Sequence, residues 1–356
     1  MSRLVSEPKA AITNQQRFLP GCAPIGLGSL GITDPQMAVD LVLRHFHEFP
    51  FWPQLPRRTR SELLIHQVAS GIPFLKQSGD PEYLFDPEEA AAFEFDYRNQ
   101  NVQNAALDPE HALGWFAMMD QLSRVSQHYT YFKSQFPGPF TLASIVRDED
   151  RNLIGYQPEI LQSICRYLEL HAKWQIEQIQ KFGLIPILFI DEAVISRDYF
   201  DTLPLHPAMI EELLSGLVHE AKAEGAIVGI HCCTDANWSL LIDTDVDILS
   251  LDAVNYLDSF LESTDSLQDF LREGGVIGWG SIPTRPPFPS PEQVTNQILK
   301  AVEELTDYDL SIYQILQQSL ISATCGLGML PPHLIEENCR LTKLVSHSIR
   351  RKYLDV

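Results

Sequence analysis

No apolar run in this chain approaches the ~20 residues needed to cross a bilayer, and Met1–Ala11 carries charges without an uninterrupted apolar stretch. Neither a membrane span nor a secretory signal is therefore expected. Cysteine is scarce. Cys22, Cys165, Cys232, Cys233, Cys325 and Cys339 are too few and too irregularly spaced for the disulfide framework of a secreted domain, and a reducing cytoplasm fits them better. Positive charge is short as well: 26 Lys and Arg stand against 47 Asp and Glu, a formal charge of -21. Such a chain repels nucleic acid phosphates and anionic membrane surfaces, so neither is an expected partner. Solubility is the plainest use of that acidity. There is no internal repeat, low-complexity tract or obvious linker. Gly26, Gly28 and Gly31 lack the Gly-x-Gly-x-x-Gly spacing of a dinucleotide loop, which excludes a nucleotide fold.

What is present is a core. Of the 356 residues, 45% are apolar, enough for one large domain or two ordinary ones. Short apolar runs alternate with amphipathic helical patterns, as in repeated βα units around a parallel sheet. Eight strands are expected, over residues 23–29, 50–55, 130–135, 185–191, 226–231, 247–252, 276–281 and 320–325. Between them, Asp34-Pro35 starts a helix with an N-cap and a proline at its first position, and residues 159–182 form a long amphipathic helix closed by Gly183. Eight units predict a single-domain (β/α)8 TIM barrel over residues 1–356. Residues 66–122, acidic and aromatic (Tyr83, Phe85, Phe93, Phe95, Tyr97), break the period. They read as an insertion after the second strand, either a lid over the barrel mouth or a surface excursion packed by its own aromatics.

In such a barrel the residues at strand C-termini line the active site. Ser29, Asp191, Glu192, His231, Cys233, Asp252 and Cys325 all fall there. His231 and Cys233 are at i and i+2 of a strand end, so their side chains share a face. Imidazole and thiolate are good zinc ligands, and Cys325 ends another apolar run; the plain alternative is a set of small core residues with no metal. At least one carboxylate of Asp191-Glu192 should reach the mouth to hold a substrate ammonium or take a proton, unless it caps the next helix. Asp252 is a candidate oxygen ligand with the same alternative. Phe136-Pro137-Gly138-Pro139-Phe140-Thr141 reads as a rigid turn, and Trp52 and Trp279 read as core aromatics.

Ile25-Gly26-Leu27-Gly28-Ser29, Gly138-Pro139-Phe140-Thr141, Ile190-Asp191-Glu192, His231-Cys232-Cys233 and Thr324-Cys325-Gly326-Leu327 follow one another as in the catalytic domain of cobalamin-independent methionine synthase, which this chain resembles over nearly its whole length. That domain shares a superfamily with uroporphyrinogen decarboxylase and corrinoid-dependent methyltransferases. The resemblance implies zinc held by His231, Cys233 and Cys325, with Asp252 where the family usually has a Glu. It implies Asp191 at the homocysteine amine, Ser29 near its carboxylate and Glu192 beside them, hence methyl transfer to a thiol with Asp191 and His231 as catalytic residues. Two departures bear on the methyl donor. The chain is too short for the family's second, N-terminal barrel, and no Trp follows Thr141 in Leu142–Val146. Methylcobalamin or a methylated corrinoid protein is therefore expected in place of methylfolate. A metal-free decarboxylase and a corrinoid-protein-binding barrel without homocysteine methylation are the competing readings.

Overall fold

The computed structural model describes residues 17–196 and 205–355; Met1–Ala11, read above as no signal segment, lies outside them. Ten strands occur among the described residues: β1 (Ala23–Pro24), β2 (Leu75–Gln77), β3 (Tyr83–Phe85), β4 (Tyr131–Pro137), β5 (Val146–Arg147), β6 (Ile185–Asp191), β7 (Ile227–Cys232), β8 (Ile248–Asp252), β9 (Val276–Ile282) and β10 (Ser319–Ala323). Seven of them form one parallel sheet in the order β1-β10-β9-β8-β7-β6-β4. Helices follow the strands on the outside, among them Pro35–His45, whose N-cap Asp34 accepts from the Met37 amide, and the long Pro158–Gln180.

Alternation along each strand sorts side chains between two cores. Leu188 and Ile190 of β6, Val228 and Ile230 of β7, Leu249 and Leu251 of β8, and Ile277 and Trp279 of β9 face the helices. The opposite parity, with Ala23, Ile187, Phe189, Ile248, Val276 and Leu320 joined by Ile25, Leu27 and Phe49, forms a separate apolar cluster. Its members span strands as far apart in the sheet order as β1 and β6, so the sheet is curled around them. Phe18 and Tyr131 pack edge-on against each other, and both rest on Phe49 at the end of this cluster.

The eighth strand expected over residues 50–55 is not a regular strand. Proline at 50 and 53 removes two ladder donors, and what remains are single bridges on each side: Phe51 to Lys133 of β4, and Gln54 to Ser29 beyond β1. The segment nevertheless links the two sheet edges, with Trp52 N–H donating to the Lys133 carbonyl at 3.0 Å and Leu30 N–H to the Gln54 carbonyl at 2.8 Å. Trp52 wedges it against Trp115. The first strand is likewise shorter than expected, ending at Pro24, and beyond it Gly28 turns to φ +127° between Leu27 and Ser29.

Residues 66–122 hold β2 and β3, which pair antiparallel, with β3 also parallel to β5. They hold the helix Pro87–Asp96 and finally Leu113–Val125, which packs on Pro35–His45. His171 of the Pro158–Gln180 helix donates from Nδ1 to the Ala105 carbonyl at 2.8 Å, fastening this segment to the outer layer.

Candidate metal and ligand site

The inward parity continues past the apolar cluster into polar residues. On β7 it runs Ile227, Gly229, His231 and, one step beyond the strand, Cys233. On β8 it runs Ile248, Ser250, Asp252. His231, Cys233 and Cys325 meet with their ligating atoms all within 4.8 Å of one another, the one such group among the described residues. His231 Nδ1 lies 3.0 Å from Ser250 Oγ, while its buried Nε2 has no hydrogen-bond partner. The contact orients the ring, and were its Nδ1 proton donated to the serine, Nε2 would keep a free lone pair, as the second shell of a metal-bound histidine requires. One imidazole and two sulfurs suit zinc, so the residues present fit the metal.

Cys233 and Cys325 titrate as a pair, their mutual interaction lowering the Cys325 thiol and raising that of Cys233. Cys232 points the other way, toward Thr234 Oγ1 at 3.1 Å, and burial pushes its thiol up to about 11. All six cysteines are free.

Asp252, expected as an oxygen ligand, is not in the group. Its carboxylate accepts from the Val254 and Asn255 amides at 2.9 and 3.0 Å and from Asn255 Nδ2 at 2.6 Å, which is the turn-capping alternative. Its short side chain serves its own loop.

Asp191 and Glu192 part company, as successive residues at a strand end must. Glu192 is wholly buried and caps the turn opposite: it accepts from the Phe140 amide at 3.0 Å, the Thr141 amide at 2.9 Å and Thr141 Oγ1 at 2.7 Å. Burial raises it to about 7 against those bonds. A Cβ on Gly138 would lie 2.1 Å from Glu192 Oε1, so Gly138 is required by close approach. The expected substrate contact of Glu192 is thus taken up by protein amides, and the Phe136–Thr141 turn becomes the end of β4 followed by the short helix Pro139–Ala143.

Asp191 faces inward instead. Its Oδ1 is buried and has no hydrogen-bond partner. Burial raises its carboxyl to about 6, opposed by the charges of Lys133 and His231 and reinforced by Cys325. Ser29 stands half-exposed at the mouth beside Gly326, where a Cβ would touch it at 3.0 Å, and donates to Gln54 Oε1 at 3.3 Å.

Lys133 was not among the expected site residues. Its side chain is fully enclosed; Nζ donates to the Leu27 carbonyl at 2.7 Å and Gln135 Oε1 at 2.8 Å and lies 4.6 Å from the centroid of the Phe189 ring. Burial lowers it to about 7, against the charge of Asp191. The signal was in the alternation: Phe132 and Phe136 mark the outward parity of β4, so Lys133 and Gln135 had to point inward.

No family model and no curated protein matches the chain. Among solved structures, a B12-independent methionine synthase from Shewanella sp. W3-18-1, determined with selenomethionine, is similar at TM-score 0.57 and 13% identity, covering 95% of this chain and 100% of that one. A GH113 beta-mannanase from Alicyclobacillus acidocaldarius gives 0.41 and 12% over 95% and 98%, and a D-psicose 3-epimerase from Clostridium cellulolyticum H10 gives 0.36 and 12% over 67% and 83%. At such identities the first likeness speaks for the fold: an α/β architecture around a curled parallel sheet.

Proposed function

We propose that the protein is a zinc-dependent thiol methyltransferase, with residues 50–55 completing an eight-position barrel and homocysteine as the acceptor. The observation that carries this reading is the unpartnered, buried Nε2 of His231 set among two cysteine sulfurs. A metal-free decarboxylase has no use for that arrangement. Because Asp252 is engaged in its own turn, the protein supplies three donors, the number that leaves a position open for substrate; a purely structural site would be closed by a fourth. Zinc held by His231, Cys233 and Cys325 would supply one thing, a thiol that is deprotonated at neutral pH.

The chain's own residues do the rest. Ser250 fixes the His231 ring, and Asp191 offers its free oxygen to the substrate ammonium. Glu192 and Thr141 clamp the Gly138–Ala143 turn to the Asp191–Ala193 backbone, where the Ala193 amide donates to Thr141 Oγ1 at 2.9 Å. Holding donor and thiol in line would contribute much of the rate. For the methyl donor we favour methylcobalamin or a methylated corrinoid protein, on the absence of Trp from Leu142–Val146.

The test is metal content and X-ray absorption at the zinc edge, with and without homocysteine. About one zinc per chain, gaining a sulfur ligand when the thiol is added, is expected; an unchanged metal shell would overturn the reaction class. Turnover to methionine with methyltetrahydrofolate, and none with either corrinoid donor, would overturn the donor assignment alone.

A further inference from the structure

Most cations of this acidic chain sit against a carboxylate of their own surface. One helix departs from that. From Arg340 to Lys352, on the helix Pro332–Tyr353, there is no acid at all. Leu341, Val345 and Ile349 turn to the core, which leaves Arg340, Lys343, Leu344, His347, Ser348 and Arg351 exposed at helical spacing on the other side. Arg340, Lys343, Arg351 and Lys352 form no ion pair among the described residues, although Arg350 beside them pairs with Glu48. Glu292 is the carboxylate whose charge reaches Lys352. An open groove of about 630 Å³, lined by Leu344 and Ser348, runs between this face and Pro291. The helix Pro87–Asp96 has the complementary character. Phe95 is 94% exposed, so nearly the whole ring stands in water. Glu88, Ala91 and Phe95 share one exposed face, and Glu89, Ala92 and Asp96 the next. Glu88 and Glu89 form no ion pair among the described residues, and Asp96 accepts from Asn99 Nδ2 at 3.0 Å. The two helices lie on different flanks: Pro332–Tyr353 packs on Pro35–His45 and Pro291–Glu304, and Pro87–Asp96 packs on Pro158–Gln180.

We infer that the partner of the basic face is a second copy of this chain. The Pro87–Asp96 helix of one copy docks on the Arg340–Lys352 face of the next, with Phe95 entering the groove at Leu344 and the acids Glu88, Glu89 and Asp96 meeting the unpaired cations. Opposite charge and matched relief point to this occupant, and Ala91 and Ala92 leave room for a close approach. A nucleic acid duplex or an anionic membrane would also match the sign of the stripe. Each extends well past it, however, over a surface that carries the remainder of a charge of -21. Because the two surfaces differ, the contact is heterologous. It does not depend on the metal group.

Sedimentation velocity reads the association. At about 20 mM salt, where surface charge is weakly screened, the sedimentation coefficient of the wild type should rise with protein concentration, and at about 500 mM the rise should vanish. Phe95→Ser and Arg351→Glu, both at exposed positions, should each abolish it. Mixed in equal amounts, the two variants should recover a one-to-one pair and nothing larger, because the intact groove of one meets the intact helix of the other. Should Arg351→Glu not fold, as judged by its circular dichroism, Lys343→Glu takes its place with the same expectation. A wild type whose sedimentation is independent of concentration at low salt overturns the proposal, and so does association that survives either substitution. Loss in both variants without recovery in the mixture overturns it as well, since the two faces would then not be each other's partners. Binding of the wild type to phosphatidylserine vesicles or duplex DNA through Arg351, with no self-association, would assign the face to another anion and overturn it too.

Discussion

The lower and upper halves of the sheet interior are built from the same strands and differ only in how far along each strand the side chain sits. Below, Ile187, Ile248, Val276 and Leu320 make a dry floor around Phe49. Above, the same parity of the same strands delivers Asp191, His231 and, past the strand end, Cys233, while Lys133 and Gln135 of β4, level with Ile187 and Phe189, lie at the boundary between the two. The floor is insensitive to chemistry and depends on volume; the mouth is the reverse. Stability and function are thus segregated along the strand axis, and each half should respond to a different kind of perturbation.

The largest effect should come from the mouth. Cys233→Ser or Cys325→Ser should abolish zinc retention through dialysis, because a hydroxyl is a far poorer ligand than a thiolate, while the melting profile measured without metal changes little. Cys232→Ser, on the helix side of the same strand, should keep the metal. Equal loss from all three would erase the distinction between the two faces of β7.

Next comes the floor. Ile248→Ala should cost about 2 to 5 kcal/mol in chemical denaturation, the usual range for truncating a buried aliphatic, and leave one zinc per chain. Loss of metal along with stability would mean that floor and mouth are one unit.

Acid should sharpen the contrast with a smaller effect. The floor cluster itself is apolar, whereas His171 is buried between the Pro158–Gln180 helix and the 66–122 segment, and burial lowers it to about 4. The unfolded chain takes up this proton near pH 6.5 and the folded one only near 4, so the stability His171 depends on is present above pH 6.5 and is lost as pH falls toward 4. That is up to about 3 kcal/mol. Hydrogen exchange at residues 101–106 should quicken across that window ahead of β6 and β8; simultaneous loss everywhere would argue against it.

Strand alternation carried most of what was readable in advance. It placed six strands of the curled sheet within a residue or two and put His231 and Cys233 on one face, because period-two burial leaves a direct trace in sequence. It did not show that Pro50 and Pro53 would reduce the eighth strand to single bridges, since an apolar run looks the same whether or not its amides can donate. Asp252 was ambiguous for a related reason: a carboxylate at a strand end can serve a metal or its own turn, and Asn255, which it meets here, is three residues away. Glu192 and Lys133 are long-range cases. Their partners, Thr141 on one side and Leu27 and Asp191 on the other, become neighbours only when β4 pairs with β6 and the sheet curls.

The contact between Glu192 and Gly138 has a consequence for how this protein can vary. Since the carboxylate occupies the space a methyl at 138 would need, alanine there demands a shorter acid at 192, and a shorter acid leaves the Phe140 and Thr141 amides unfilled unless the turn moves inward to meet it. The two positions, 54 residues apart, are therefore expected to change together or not at all. A library randomised at both should yield pairs, glycine with glutamate or a larger residue with a shortened acid, and few functional mixtures between them.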